Sequence, residues 1–230
     1  MPDRPRALML FAAGFGTRMG DLTRDRPKPL VEVAGKPLID HARALGRGAG
    51  CAPVVANLHY RAEMLETHLS GSEVRTIVEA PRILETGGGL RNALPVLGPD
   101  PVFTLNTDAI WQGPNPLTLL AEAWDPNRMD ALLMTVPPAR AIGHGGGGDF
   151  DLAADGTLRR GTQAIFGGAQ ILKTGRLAAM QQRAFSLNLV WDAMLAEERL
   201  FGLVYPGAWC DVGRPEGIAL AEDLLERGDV

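Results

Sequence analysis

The 230-residue sequence predicts an α/β fold with a mainly parallel sheet flanked by helices. Short apolar runs of strand length alternate with segments whose apolar residues recur at helical spacing. The first run ends directly in a glycine loop, as buried parallel strands that feed a ligand site do. With 46% hydrophobic residues, residues 1–230 read as one domain with one substantial core.

Arg6 to Ala13 is the first strand. Pro37 to Leu45 is the first helix, because Leu38, Ile39, Ala42 and Leu45 share a face, and Ala52 to Ala56 is the next strand, completing a βαβ unit. The alternation continues with Ala62 to Leu69 helical, Val74 to Val78 extended, Gly89 to Leu97 helical behind a glycine run, and Val102 to Leu105 a buried strand. Leu117 to Trp124 reads as helix and Ala131 to Val136 as strand, before a glycine-rich loop from Ala141 to Gly148. The last third reads as strand Ala164 to Leu172, helices Gly175 to Gln182 and Leu189 to Glu198, strand Leu200 to Tyr205, and a closing helix from Pro215 to Arg227.

A net charge of -4 gives no global attraction to nucleic acid or an anionic membrane, so an anionic ligand needs a locally built site. The apolar run near the N-terminus is too short for a membrane span, and no signal peptide is evident, which points to the cytoplasm. Cys51 and Cys210 lie far apart without a metal-binding spacing, and the four histidines show no zinc-site pattern, so they read as surface or packing residues. Gly-x-Ser-x-Gly is absent.

Chemistry concentrates in a few segments. Ala12-Ala13-Gly14-Phe15-Gly16-Thr17 follows the first strand, where successive backbone N–H groups can wrap a phosphate chain. The segment is neither a P-loop nor a dinucleotide fingerprint, because Met19 stands where a third glycine is needed and Arg26-Pro27-Lys28-Pro29 breaks the helix that should follow. Arg18 and Lys28 flank this loop as fixed cations, suited to the charge that builds when an α-phosphate is attacked and pyrophosphate leaves. Asn106-Thr107-Asp108 ends a buried strand at the sheet's carboxyl edge, and Asp211 follows another apolar run. Two aspartates from distant segments suit a magnesium ion, which takes hard oxygen ligands and shares the rest with phosphates and water. Helix capping is the competing explanation for Asp211, since Pro215 stands near a following helix. Glu85-Thr86-Gly87-Gly88 opens a second glycine run whose backbone donors fit a base edge or a ribose. Gly148-Asp149-Phe150, after the third run, is assigned to the acceptor side of the cleft.

These residues resemble the sugar-phosphate nucleotidylyltransferases, whose signature is similar to Ala12 through Met19 followed by Arg26-Pro27-Lys28-Pro29-Leu30. The resemblance covers nearly the whole chain, including Asn106-Thr107-Asp108 and Asp211-Val212-Gly213. It implies a Rossmann-like mixed, mainly parallel sheet of the nucleotide-diphospho-sugar transferase type, an NTP and a sugar 1-phosphate as substrates, and Mg2+ held by Asp108 and Asp211. Within the family the chain is most similar to the N-acetylmuramate-1-phosphate uridylyltransferases of a cell-wall recycling route, which share Leu84 through Gly89 and Gly148-Asp149-Phe150. That implies UTP as donor; mannose-1-phosphate guanylyltransferase is the runner-up. The Glu-Lys-Pro segment that grips the sugar phosphate in many relatives is absent, leaving Arg159 or Arg160 as stand-ins. A metal-dependent glycosyltransferase and a non-catalytic nucleotide-binding domain are the alternatives from other classes; Asn106 stands where an Asp-x-Asp pair would begin. The sequence leaves the oligomeric state open.

Overall fold

The computed structural model describes residues 4–98 and 100–227. Its main sheet has seven strands in the order β13-β8-β12-β6-β1-β4-β5. These are β1 (Leu8–Phe11), β4 (Val54–Leu58), β5 (Val74–Val78), β6 (Val102–Asn106), β8 (Ala131–Val136), β12 (Ile165–Leu172) and β13 (Leu200–Val204). Only β12 runs against the rest, pairing antiparallel with both β6 and β8. The sheet is therefore mixed and mainly parallel, as the sequence predicts. Small strands account for the other numbers: β2 (Glu32–Val33), β3 (Lys36–Pro37), β7 (Ala109–Gln112), β9 (Ala141–Ile142), β10 (Phe150–Leu152), β11 (Leu158–Arg160) and β14 (Ala208–Asp211).

Both faces of the sheet are buried, which is why its strands read as continuous apolar runs. Along β1, Leu8 and Leu10 enter one core and Met9 the other. Helices α1 (Leu38–Gly48), α2 (Ala62–Leu69), α3 (Glu85–Leu97), α4 (Pro116–Ala123), α5 (Gly175–Ala178), α6 (Asn188–Ala196) and α7 (Glu216–Glu226) lie around it. Helix α4 starts where its cap dictates: the Asn115 side chain accepts the Leu117 N–H at 2.9 Å, and Pro116 fills a position that needs no donor. A third apolar cluster, including Met19, Val33, Ile110 and Val212, supports the three-stranded sheet β7-β14-β9.

Two predicted helix boundaries are corrected. The helix expected from Gly89 begins at Glu85, so the glycine run lies inside the first turns of α3. The helix expected to reach Gln182 ends at Ala178. Both corrections have one cause: the segment after α5 lies against the bare glycine face of α3. A Cβ at Gly87 would sit 2.3 Å from the Phe185 ring, and one at Gly88 2.6 Å from the Arg183 carbonyl. Arg91 of α3 holds this segment by donating to the Met180 and Gln182 carbonyls, each at 2.6 Å.

Away from the cleft, at the amino end of β8, Asp130 accepts hydrogen bonds from Arg176 at 3.0 Å, Arg199 at 3.0 Å and Lys173 at 3.2 Å. Burial pushes the Asp130 carboxyl up, but the three cations together outweigh burial and hold it below the usual carboxylate value. A depressed folded-state value stabilises the fold above the unfolded carboxylate value of about 4, and that contribution is lost as the pH falls through the folded value. We expect Asp130→Asn to lower the urea midpoint at pH 6.5, and the gap from wild type to narrow as the pH is taken below 4. An equal gap at both pH values would show that the cations do not act through the Asp130 charge.

Candidate active site

The chain leaves β1 for β4 and β5 on one side and then crosses to β6 on the other, so β1 and β6 flank the point where strand order reverses. A crevice outside the carboxyl ends of the strands follows from that topology. The cleft of about 320 Å³ found there is lined by the turn after β1, the end of β6, the start of α3 and Gly213.

Local structure explains each wall. Gly16 adopts φ +66°, and a Cβ there would lie 2.8 Å from Cβ of Lys28, so this glycine is required both by backbone conformation and by space. Gly14 meets no such restriction and is exposed. Thr107 closes the seam between β1 and β6 by donating its hydroxyl to the Phe11 carbonyl at 2.8 Å. Ala12, Ala13, Gly14, Gly16, Thr17, Arg18, Lys28, Glu85, Thr86, Asn106 and Asp108 all line the one cleft. Glu85 sits at φ +58°, a strained conformation for a side chain with a Cβ, at the point where α3 opens into the cleft.

Lys28 is 8% exposed and donates from Nζ to Oδ2 of Asp108 at 2.7 Å. It is therefore no solvated surface cation. Asp211 reaches the same region through strand pairing: β14 runs antiparallel to β7 with Asp211 opposite Ala109, and the Val212 N–H donates to the Asp108 carbonyl at 2.9 Å. The cap of α7 is Pro215 without a side-chain bond, so helix capping does not account for Asp211. A Cβ on Gly213 would stand 2.9 Å from each Asp211 carboxylate oxygen and 3.2 Å from Nη2 of Arg18, so a larger residue there would push the aspartate and the arginine from their places. Burial raises the Asp211 carboxyl above its ordinary value, and the neighbouring Asp108 charge raises it further against Lys28, Arg18 and His144.

The Asp211 carboxylate, penalised by burial and by the Asp108 charge, forms with Asp108 a donor set that a hard divalent cation relieves. Among the described residues no group of three or more His, Cys, Asp or Glu side chains could enclose a metal ion. Two carboxylates fit an ion that takes its remaining ligands from water and substrate phosphates, as Mg2+ does.

Several assigned residues stand elsewhere. Gly87 and Gly88 spend their N–H groups on the Phe185 carbonyl, at 2.8 and 3.1 Å, which corrects the expectation that these donors read a ligand. Phe15 points its ring toward His59 and Tyr60, with centroids 5.4 and 5.9 Å away, and is 45% exposed outside the cleft lining. Phe150 is fully buried against Trp191, and the Asp149 carboxylate accepts the Phe166 N–H at 2.8 Å. A Cβ on Gly148 would meet the Thr162 carbonyl at 2.4 Å. These three residues shape the hairpin β10–β11 and do not line the cleft. Arg160 is paired with Asp192 at 2.7 Å.

The sequence reading missed Asn57, Ile83 and Gly213 as cleft residues, and His144 as a neighbour of the site. Asn57 carried a signal, a lone amide at the carboxyl end of the apolar strand β4. His144 carried none. The parallel pairing of β9 with β14 sets its Nδ1 3.7 Å from Oδ2 of Asp211.

A model of the MobA-like NTP transferase domain matches residues 8–185. The chain is 40% identical to the N-acetylmuramate alpha-1-phosphate uridylyltransferase of Caulobacter vibrioides, over 98% of this chain and 99% of that one. It is 31% identical to the enzyme of the same name from Neisseria meningitidis serogroup B, over 89% of this chain and 92% of the other. The fold superposes on the crystal structure of HddC from Yersinia pseudotuberculosis complexed with GMP-PN, with a TM-score of 0.75 and 23% identity, covering 97% and 99% of the two chains.

Proposed function

On the premise that this chain belongs to the MobA-like NTP transferase family, we propose that it transfers uridylate from UTP to N-acetylmuramate 1-phosphate, giving UDP-N-acetylmuramate and pyrophosphate. One observation carries the reading: the glycine turn, Arg18 and the Lys28–Asp108 pair line one cleft at the strand-order reversal, and Asp211 stands beside it, against Gly213 and Arg18. The near full-length likeness to the two uridylyltransferases supports the choice of substrates.

In this reading an acceptor phosphate oxygen forms a bond to the α-phosphorus as the α–β bridging P–O bond breaks and pyrophosphate leaves. No covalent enzyme intermediate is needed. Asp108 and Asp211 would hold Mg2+, which when bound supplies charge stabilisation to phosphate oxygens. The turn from Gly14 to Thr17 holds the triphosphate, Lys28 faces the α-phosphate, and Arg18 stabilises the departing pyrophosphate. Glu85, Thr86 and Asn106 orient the nucleoside. Fixed positions and fixed charges supply most of the rate. Dependence on UTP and a cell-wall precursor sets the work in the cytoplasm, in peptidoglycan recycling. No helix among the described residues is long and apolar enough to cross a membrane.

The test is pyrophosphate release across the four common NTPs and several sugar 1-phosphates with magnesium. UTP with N-acetylmuramate 1-phosphate is expected to give the highest kcat/KM. A clear lead for GTP with mannose 1-phosphate would replace both substrates. Nucleotide binding without pyrophosphate release would favour a binding domain, and turnover of UDP-sugars alone a glycosyltransferase.

A further inference from the structure

From the cleft wall at Asn57 a buried chain of polar groups runs inward that the proposed reaction does not use directly. Asn57, 4% exposed at the end of β4, accepts the Ala12 N–H on Oδ1 at 3.0 Å. Its Nδ2 donates to Oε1 of Glu79 at 2.7 Å. Glu79, 1% exposed, takes the Leu84 N–H on Oε2 at 2.6 Å. The polarity follows from the ends: the backbone N–H of Ala12 can only donate and the carboxylate can only accept, so the amide has one orientation.

This chain joins two walls of the cleft. Ala12 begins the glycine turn, and Leu84 immediately precedes Glu85 and Thr86 at the start of α3. Glu79 is itself fixed, since its N–H donates to the Leu58 carbonyl at 2.7 Å and its carbonyl accepts from the His59 ring at 2.7 Å. Gly89 makes room for the pair, because a Cβ there would meet Oε1 of Glu79 at 2.5 Å and Nδ2 of Asn57 at 2.8 Å. At this depth of burial, a mismatched donor or acceptor loses most of its hydrogen bond.

We propose that Asn57 and Glu79 are positioning residues that hold the phosphate side and the nucleoside side of the pocket at one spacing. The inference rests on the reading of this cleft as an NTP site. Glu79→Gln keeps the shape but sets an amide N–H against either the Leu84 N–H or Nδ2 of Asn57; if Asn57 turns over to satisfy it, the Ala12 N–H loses its acceptor. Asn57→Asp sets two carboxylates together. Combining the two reverses the polarity of the central bond: Oδ1 of Asp still accepts from Ala12, Gln donates to Oδ2, and Gln Oε1 still accepts from Leu84.

The experiment measures KM for UTP, KM for the acceptor, kcat and thermal midpoint for both single variants and the double. Each single variant is expected to raise KM for UTP about tenfold, with acceptor KM within twofold of wild type. The double variant is expected to return KM for UTP to within about threefold. Asn57→Ser, which removes the Ala12 acceptor without adding charge, covers a single variant that fails to fold and should raise the same constant. Lowered thermal midpoints with KM for UTP unmoved, or a double variant no better than the singles, would overturn the proposal. Absence of pyrophosphate release by the wild type would instead sink the catalytic reading, and UTP affinity by calorimetry would still report on the pair.

Discussion

Asp211→Asn is expected to lower magnesium-dependent pyrophosphate release about a thousandfold while leaving the protein at least as stable as wild type. The two halves of that result have one cause. Burial and the Asp108 charge penalise the ionised Asp211 carboxylate. An acid whose folded-state value is raised costs stability at neutral pH, and a neutral isostere removes that cost along with the charge a divalent cation needs. Melting curves in chelator, compared with steady-state pyrophosphate release, read both halves. Asp108→Asn should lose activity to a similar degree, and a variant at either position that retains full magnesium-dependent turnover would remove the aspartate pair from the mechanism.

Lys28→Met is expected to cost 100-fold to 1,000-fold in kcat, with a smaller change in KM for UTP. The ammonium is nearly buried, held by Asp108 at 2.7 Å, and braced where Gly16 leaves just enough space for its Cβ. A cation so placed is ready for charge that grows on the α-phosphate during transfer, so its loss falls on the transition state more than on ground-state binding. Lys28→Arg should not rescue, because the planar guanidinium is larger than the ammonium it would replace. Steady-state kinetics check this prediction, and a change confined to KM would make Lys28 a ground-state binding group.

The frame was legible in the sequence where one face or both of an element is buried. Val74–Val78 and Ala62–Leu69 match their predicted limits, and the other main strands agree to within a residue or two. The mixed character of the sheet came with the family resemblance and not from any single strand, because β12 is as apolar as the neighbours it runs against. Small pieces escaped altogether: β7 and β14 are short, and their pairing is a long-range event with no local pattern. For the same reason the site was half legible. Gly16, Lys28 and Asp108 sit in local patterns that point to chemistry, whereas Asn57 and His144 gain their places from strand pairing. The run Gly87-Gly88-Gly89 misled because glycine has two uses: a flexible turn, or a helix surface kept bare for a neighbouring chain segment.

The backbone bond between Val212 and Asp108 has a consequence for biosynthesis. Asp108 is made well before Asp211, so a nascent chain can complete its glycine turn before both carboxylates exist. In the proposed reading, nucleotide cleavage then waits until Val212 has docked on Asp108.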